Sequence, residues 1–347
     1  MLAATAACVL SQQVATADAA PSRFFGVHAS APSAADFQRM ARGGVRLCRV
    51  QVDWASIERS PGSYDWAALD SVVAGAAGAG VELLPFLLGT PSWVSANPAR
   101  PPIDGGSAGA AWSSFAAQLA GRYGSSGTFW LERPDVPRRP IVVWQLWNET
   151  NTRAFWGGRP NAKQYANLVA LTARAIRSAD PRAELILSGL IPFRSLAPGS
   201  VAGLKYLQRL LRFKAIRRFA DGVAIHPYGK SPQVVLKWLL RARELLDRSA
   251  PKMPLWVSEF GWSTGGSDAR RSPVGASRRG QAKRVAHGYR LLARNRKRLK
   301  LRAAVYFSYT DIPLDGDVWI GHMGLFDGTG QPKPAWFAYV KRAGGTP

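Results

Sequence analysis

Eight short apolar runs, each followed by an amphipathic stretch, succeed one another along nearly the whole chain. This alternation is the pattern of parallel strands covered by helices, and it excludes most other architectures. Strands are expected at 24–27, 45–51, 81–87, 141–147, 184–188, 222–225, 255–258 and 303–308. Helices are expected at 34–42, 66–77, 110–123, 162–178, 201–219, 234–249, 281–298 and 335–340. Eight such units close an α/β fold of the (β/α)8, or TIM barrel, type. Gly43-Gly44, Gly80 and Asp180-Pro181 stand where a helix must stop before the next strand. An open doubly wound sheet shares the alternation, but the first run is not followed by Gly-x-Gly-x-x-Gly and there is no phosphate loop. No Ser/Pro/Gly tract or charge block divides the 347 residues, so 21–347 reads as one domain.

Two glutamates stand at the ends of apolar runs: Glu149 in Ile141-Val-Val-Trp-Gln-Leu-Trp-Asn-Glu149, and Glu259 in Leu255-Trp-Val-Ser-Glu-Phe-Gly261. Barrel enzymes carry their chemistry at the carboxyl ends of strands, and strands 4 and 7 face each other across the mouth. Two carboxylates that converge there suit glycosidic bond cleavage. One, protonated, gives its proton to the leaving oxygen, while the other, ionised, attacks the anomeric carbon; a spacing of about 5–5.5 Å favours retention and about 6.5–9.5 Å inversion. The two roles require unequal surroundings, with a cation beside the nucleophile. Arg49 is the preferred cation, and Arg46, on the opposite strand face, is its rival. His28, closing the first run, and Trp93 are further pocket candidates. Trp54, Trp93, Trp156, Trp262 and Trp319 collect on loops, where they either offer platforms to sugar rings or pack over the barrel rim.

Residues 23 to 343 resemble clan A of the glycoside hydrolases, closest in pattern to families 39 and 5. In that clan the fourth strand ends in Asn-Glu and the seventh in a nucleophilic Glu, matched here by Asn148-Glu149 and Glu259. The resemblance implies Glu149 as acid/base, Glu259 as nucleophile, Arg49 beneath the nucleophile and Asn148 at the sugar 2-hydroxyl. It further implies that His226 and Tyr228, in Ile225-His-Pro-Tyr-Gly229, form the clan's His-x-Tyr pair, with Tyr228 donating to Glu259. The clan's usual Trp at the end of strand 8 is missing from Val305-Tyr-Phe-Ser-Tyr-Thr-Asp311, and Tyr306 is expected to take its place as floor of the sugar site. The activity so implied is retaining hydrolysis of a β-linked polysaccharide or oligosaccharide by a monomer without a cofactor. Transglycosylation would use the same residues.

Other chemistries find less support. The four histidines, His28, His226, His287 and His322, include no His-Glu-x-x-His and there is no Cys cluster, so no metal is expected. There is no Gly-x-Ser-x-Gly elbow for a serine hydrolase. Cys48, in an apolar strand, reads as an inert small hydrophobe. Residues 1–20 are Ala-rich and end in Ala17-Asp-Ala-Ala20, which resembles a secretory cleavage site without the basic n-region. They read as a truncated signal peptide, implying a secreted or cell-envelope protein, or as a disordered tail. Beyond them no run reaches the roughly 18 apolar residues of a membrane span. The net charge of +24 concentrates in 209–218 and 278–300, on helices of the outer layer. That surface is either simply solvated or attracts an anionic polysaccharide or cell envelope, with no specific nucleic acid expected. A catalytically silent barrel binding such a polymer is the alternative function. Two facing carboxylates would repel its ligand.

Overall fold

A computed structural model describes residues 21–103, 106–193, 198–267, 272 and 274–347. The expected signal segment, 1–20, lies outside the described residues, as do parts of the loops following the third, fifth and seventh strands. Eight parallel strands close into a barrel in sequence order: β1 (Phe25–His28), β2 (Leu47–Asp53), β3 (Glu82–Leu88), β4 (Val143–Leu146), β5 (Glu184–Leu190), β6 (Gly222–Ile225), β7 (Leu255–Phe260) and β8 (Leu301–Tyr306). β8 returns to pair with β1, so the sheet has no free edge.

The outer layer is formed chiefly by α1 (Ala34–Arg42), α3 (Ala67–Gly78), α4 (Gly106–Tyr123), α7 (Ala162–Ala179), α8 (Gly203–Leu210), α9 (Lys214–Phe219), α10 (Pro232–Ser249), α11 (Arg278–Leu299) and α12 (Pro334–Ala343). Short helices α2 (Trp54–Ile57), α5 (Phe129–Glu132) and α6 (Arg153–Trp156) lie in the loops. Local signals set the helix starts. Ser33 and Asp36 form a capping box at α1, Asn161 caps α7, and Ser231 followed by Pro232 opens α10.

Two apolar layers hold the fold. Inside the barrel, Leu47, Leu84, Val143, Ile186, Ala224, Trp256, Ala303 and Val305 pack together, and a larger cluster fills the space between sheet and helices. Because a strand alternates its faces, these inner residues fix which later positions point into the mouth. Leu47 aligns Arg49 inward, Val143 aligns Gln145, and Ala303 with Val305 aligns Phe307. Cys48 accordingly faces the helices, buried, and burial pushes its thiol well above the usual range.

Several boundaries depart from the sequence reading by a few residues, and three of the departures have a structural consequence. The expected helix 201–219 is broken into α8 and α9. Continued unbroken, it would carry Arg217 onto the face of Tyr206 and Leu210; the break re-phases the chain and buries Ile216 instead. β4 ends at Leu146, because Trp147 turns out of the ladder with φ +62°. β7 runs on to Phe260, so that Glu259 lies within the strand rather than beyond it. No helix among the described residues is long and apolar enough to cross a membrane.

Candidate active site

At the carboxyl ends of the strands, Arg49 of β2 is the hub. Its guanidinium is fully buried and donates to Glu259 Oε1 at 2.7 Å, to Asn148 Oδ1 at 2.9 Å and to Gln145 Oε1 at 3.1 Å. The Phe86 ring centroid lies 3.7 Å from its Cζ. A buried charge is tolerated only when paired and hydrogen-bonded, and this one meets both conditions. Arg46 instead donates to the carbonyls of Ala41 and Val45, away from the mouth.

Glu259 reaches the mouth through a slip in the ladder. Val257 pairs with Ala304 and Phe260 with Tyr306, three residues on β7 against two on β8. The bulge lets both Ser258 and Glu259 face inward, where strict alternation would allow one. Tyr228 donates to Glu259 Oε2 at 2.7 Å, so this carboxylate is bracketed by a cation and a phenol.

Glu149 is presented by strained backbone. Trp147 and Glu149 both have positive φ, +62° and +39°, a conformation costing roughly 1–3 kcal/mol per residue. Several contacts hold the segment there. The Trp147 N–H donates to Leu87 O, its indole donates to Phe155 O at 2.6 Å, and Gln145 Nε2 donates to Trp147 O at 3.1 Å. Both the backbone and the hydroxyl of Thr152 donate to Glu149 O.

His226 joins the two carboxylates. Its Nδ1 is 2.9 Å from Glu149 Oε1 and 3.4 Å from Glu259 Oε2, and its Nε2 is 3.0 Å from Ser258 Oγ. Burial first, then the nearby Arg49 charge, holds its pKa well below the usual imidazole value, so the ring is neutral. Space for it comes from β5, where a second bulge between Leu187 and Leu190 sets Gly189 against the ring. A β-carbon at Gly189 would stand 1.8 Å from Nε2.

The glutamates sit in unequal fields. Burial and then the charge of Glu259 raise the pKa of Glu149 well above the ordinary carboxyl value. Burial also raises Glu259, but Arg49 and the Tyr228 hydroxyl oppose it, leaving Glu259 the more acidic of the pair. Burial and the Glu259 charge keep the Tyr228 phenol protonated, as a donor must be.

Some expected site residues lie elsewhere. Tyr306 does not floor the mouth: it is fully buried, its ring edge against Phe260 and its hydroxyl near the backbone of Trp262, on the helix side of β8. Trp262 is likewise fully buried, its indole donating to Gly229 O at 2.9 Å, and so offers no platform. Trp54 and Trp156 are buried too, and Trp54 packs against Trp93, Trp112 and Phe115. Trp93, half-buried, is tied by its indole to Glu58 O at the rim. His28 does lie by the mouth, stacked on Phe307 with centroids 4.9 Å apart and 12° between planes. Burial and Arg49 hold its pKa down at about 3.

Phe307 was missed in the sequence, as were Gln145 and Ser258. Two-residue alternation from Ala303 and Val305 points to Phe307, and from Val143 to Gln145. Alternation from Trp256 likewise points to Ser258, and it is Glu259 that the bulge turns inward.

One donor atom each from Glu149, His226 and Glu259 lie within 4.8 Å of one another, a spacing that metal ligands also show. Arg49, 2.7 Å from Glu259, opposes a cation there, and Tyr228 already occupies the other oxygen.

Among solved structures, the chain is similar to a family 39 glycoside hydrolase from the gut symbiont Bacteroides cellulosilyticus, at 17% identity and TM-score 0.68, over 92% of this chain and 62% of that one. It is similar to a monomeric β-xylosidase from Caulobacter crescentus, at 21% identity and TM-score 0.63, over 92% and 67%. It is also similar to xylanase 10B from Thermotoga maritima, at 14% identity and TM-score 0.62, over 92% and 94%. At these identities the likeness is one of fold. This chain spans about three-fifths of the Bacteroides protein. No protein-family model matches the sequence, and no curated protein matches it.

Proposed function

We propose that this barrel is a retaining O-glycosidase acting on β-linked polysaccharide or oligosaccharide, with Glu149 as acid/base and Glu259 as nucleophile. The observation that carries the reading is the pair itself. Two carboxylates from β4 and β7 share one imidazole within 4.8 Å, and their surroundings separate their acidities. Facing oxygens that close favour retention, whose carboxyl groups stand about 5–5.5 Å apart, over the roughly 6.5–9.5 Å an inverting water requires. Fold-level likeness to a β-xylosidase and a xylanase supports the sugar chemistry and the linkage.

In the first step a Glu259 oxygen attacks the anomeric carbon as its bond to the glycosidic oxygen breaks, and protonated Glu149 delivers its proton to that oxygen. In the second, ionised Glu149 takes a proton from water, whose oxygen bonds to the anomeric carbon and releases Glu259. Replacing that water by a sugar hydroxyl gives transglycosylation. His226 accommodates both states of Glu149. In both, Oε1 accepts from Nδ1–H while the Ser258 hydroxyl donates to Nε2, which leaves Oε2 to carry the proton that is exchanged. Asn148 has its amide oxygen engaged by Arg49, leaving its NH2 for a sugar 2-hydroxyl. Phe307 supplies the apolar face beneath the ring.

Intact-mass labelling with 2-fluoro glycosides of gluco, xylo, galacto and arabino configuration tests this. The expected result is one covalent adduct, mapped to Glu259 and absent from Glu259→Ala. An adduct on another residue, or turnover with inverted anomer by NMR, would overturn the assignment.

A further inference from the structure

A group of basic residues gathers at one end of the barrel. Outer helices run antiparallel to the strands, so their last turns lie at the amino-terminal face, opposite the mouth. Arg217 and Arg218 close α9, Arg248 closes α10, and Arg296, Lys297 and Arg298 close α11. One cation per helix end complements the helix dipole. Of these, Arg296 and Lys297 line a cavity.

That cavity, about 440 Å3, is lined by Arg23, Lys252, Arg296, Lys297, Lys300 and Arg302 against the single carboxylate of Glu184. Arg23 is paired with Glu82 at 3.1 Å and Lys300 donates to Pro251 O at 2.6 Å, so part of the array is fixed in place. Trp256, from the apolar filling of the barrel, also lines it; this residue is 2% exposed, and its indole N–H has no partner among the described residues. A neighbouring cavity of about 560 Å3 shares Glu184, Lys252, Pro254 and Arg302 and adds Arg217 beside Asp221, extending the space into a groove.

We propose that this groove binds a linear acidic polysaccharide, anchoring the barrel by the face opposite its mouth. Pyranose rings carrying carboxylates present apolar C–H faces and anionic edges. The groove offers the complement, with Pro254, Leu301 and lysine stems beside the cationic heads. Single-stranded nucleic acid would need open aromatic surfaces on which to stack, and the cavity's aromatic, Trp256, is buried. A lipid surface is too flat to enter.

Affinity electrophoresis in gels containing polygalacturonate tests the assignment, with neutral dextran, oligothymidylate and polyglutamate as the other arms. Lys252→Glu/Arg302→Glu places two reversals in the groove at exposed positions, and Arg290→Glu/Arg294→Glu places two on the exposed side of α11, outside both cavities. The expected result is about tenfold weaker polygalacturonate binding for the first variant and under twofold for the second. Dextran should not retard the wild type. Equal losses in the two variants would reduce the effect to a diffuse surface field and overturn the site. Equal or tighter binding of oligothymidylate or polyglutamate, or no binding of polygalacturonate, would overturn the ligand class. Single Lys252→Glu against single Arg290→Glu repeats the comparison if a double variant is unstable. The readout is binding alone, so its outcome is separate from that of the glycosidase reading.

Discussion

Gly189 and His226 are so close that a single methyl group on the first would overlap the second, the gap being 1.8 Å. Gly189→Ala should therefore push the imidazole off both carboxylates while leaving the barrel assembled. Overpacking of this kind costs about 1–3 kcal/mol, and misplacing a positioning group lowers kcat about a hundredfold. Thermal unfolding beside steady-state kinetics on an aryl glycoside checks both; unchanged kcat would remove His226 from the mechanism.

Arg49→Met should shift the acid limb of the pH profile. Arg49 opposes the rise that burial imposes on Glu259, so removing the cation lifts that pKa further. The acid limb of kcat/KM then moves to higher pH, because the proposed mechanism requires Glu259 to attack in its ionised form. Stripping one partner from a buried pair also costs about 3–5 kcal/mol, so the profile is best measured well below the unfolding temperature. An acid limb that does not move would contradict the assignment.

Glu149→Gln should gain stability relative to wild type at high pH. The folded-state pKa of Glu149 is raised, so its carboxyl favours the folded state below the unfolded carboxyl pKa and loses that contribution as pH rises through the folded value. Glutamine does not titrate. The difference in Tm should be most positive at about pH 8 and shrink or reverse toward about pH 4. A difference independent of pH would mean that Glu149 is not strained by its surroundings.

Phe307 and Tyr306 make a paired test of which aromatic meets the sugar. Phe307→Ala should lower kcat/KM by about one to two orders of magnitude through loss of an apolar platform. Tyr306→Phe removes only a hydroxyl whose contacts are 3.4 Å long and should leave kcat within about twofold. The reverse ranking in steady-state assays would restore Tyr306 to the site.

The barrel could be read from the chain because a parallel sheet buried on both faces imposes short apolar runs, and eight of them admit few closures. Glu149, Glu259 and Arg49 could be read for a similar reason, since polar groups at the ends of apolar runs are conspicuous. What stayed hidden depended on phase. Tyr306 has the side-chain chemistry expected at the site, but the inward series through Ala303 and Val305 leads to Phe307. The loop tryptophans looked alike in sequence, but Trp54 and Trp262 are covered by residues distant along the chain. Gly189 and the inward turn of Glu259 owe their placement to bulges, which local composition does not encode.

The slip in β7 has a consequence for how the chemistry and the architecture depend on each other. Between Val257 and Phe260 β7 takes three steps against two on β8, and the opposite slip between Leu255 and Val257 balances it, so Glu259 turns inward without lengthening the strand. The carboxylate is thus carried by a local irregularity rather than by a regular member of the ladder. A β7 paired rung for rung over the same length would close the same barrel with Glu259 turned toward the helices.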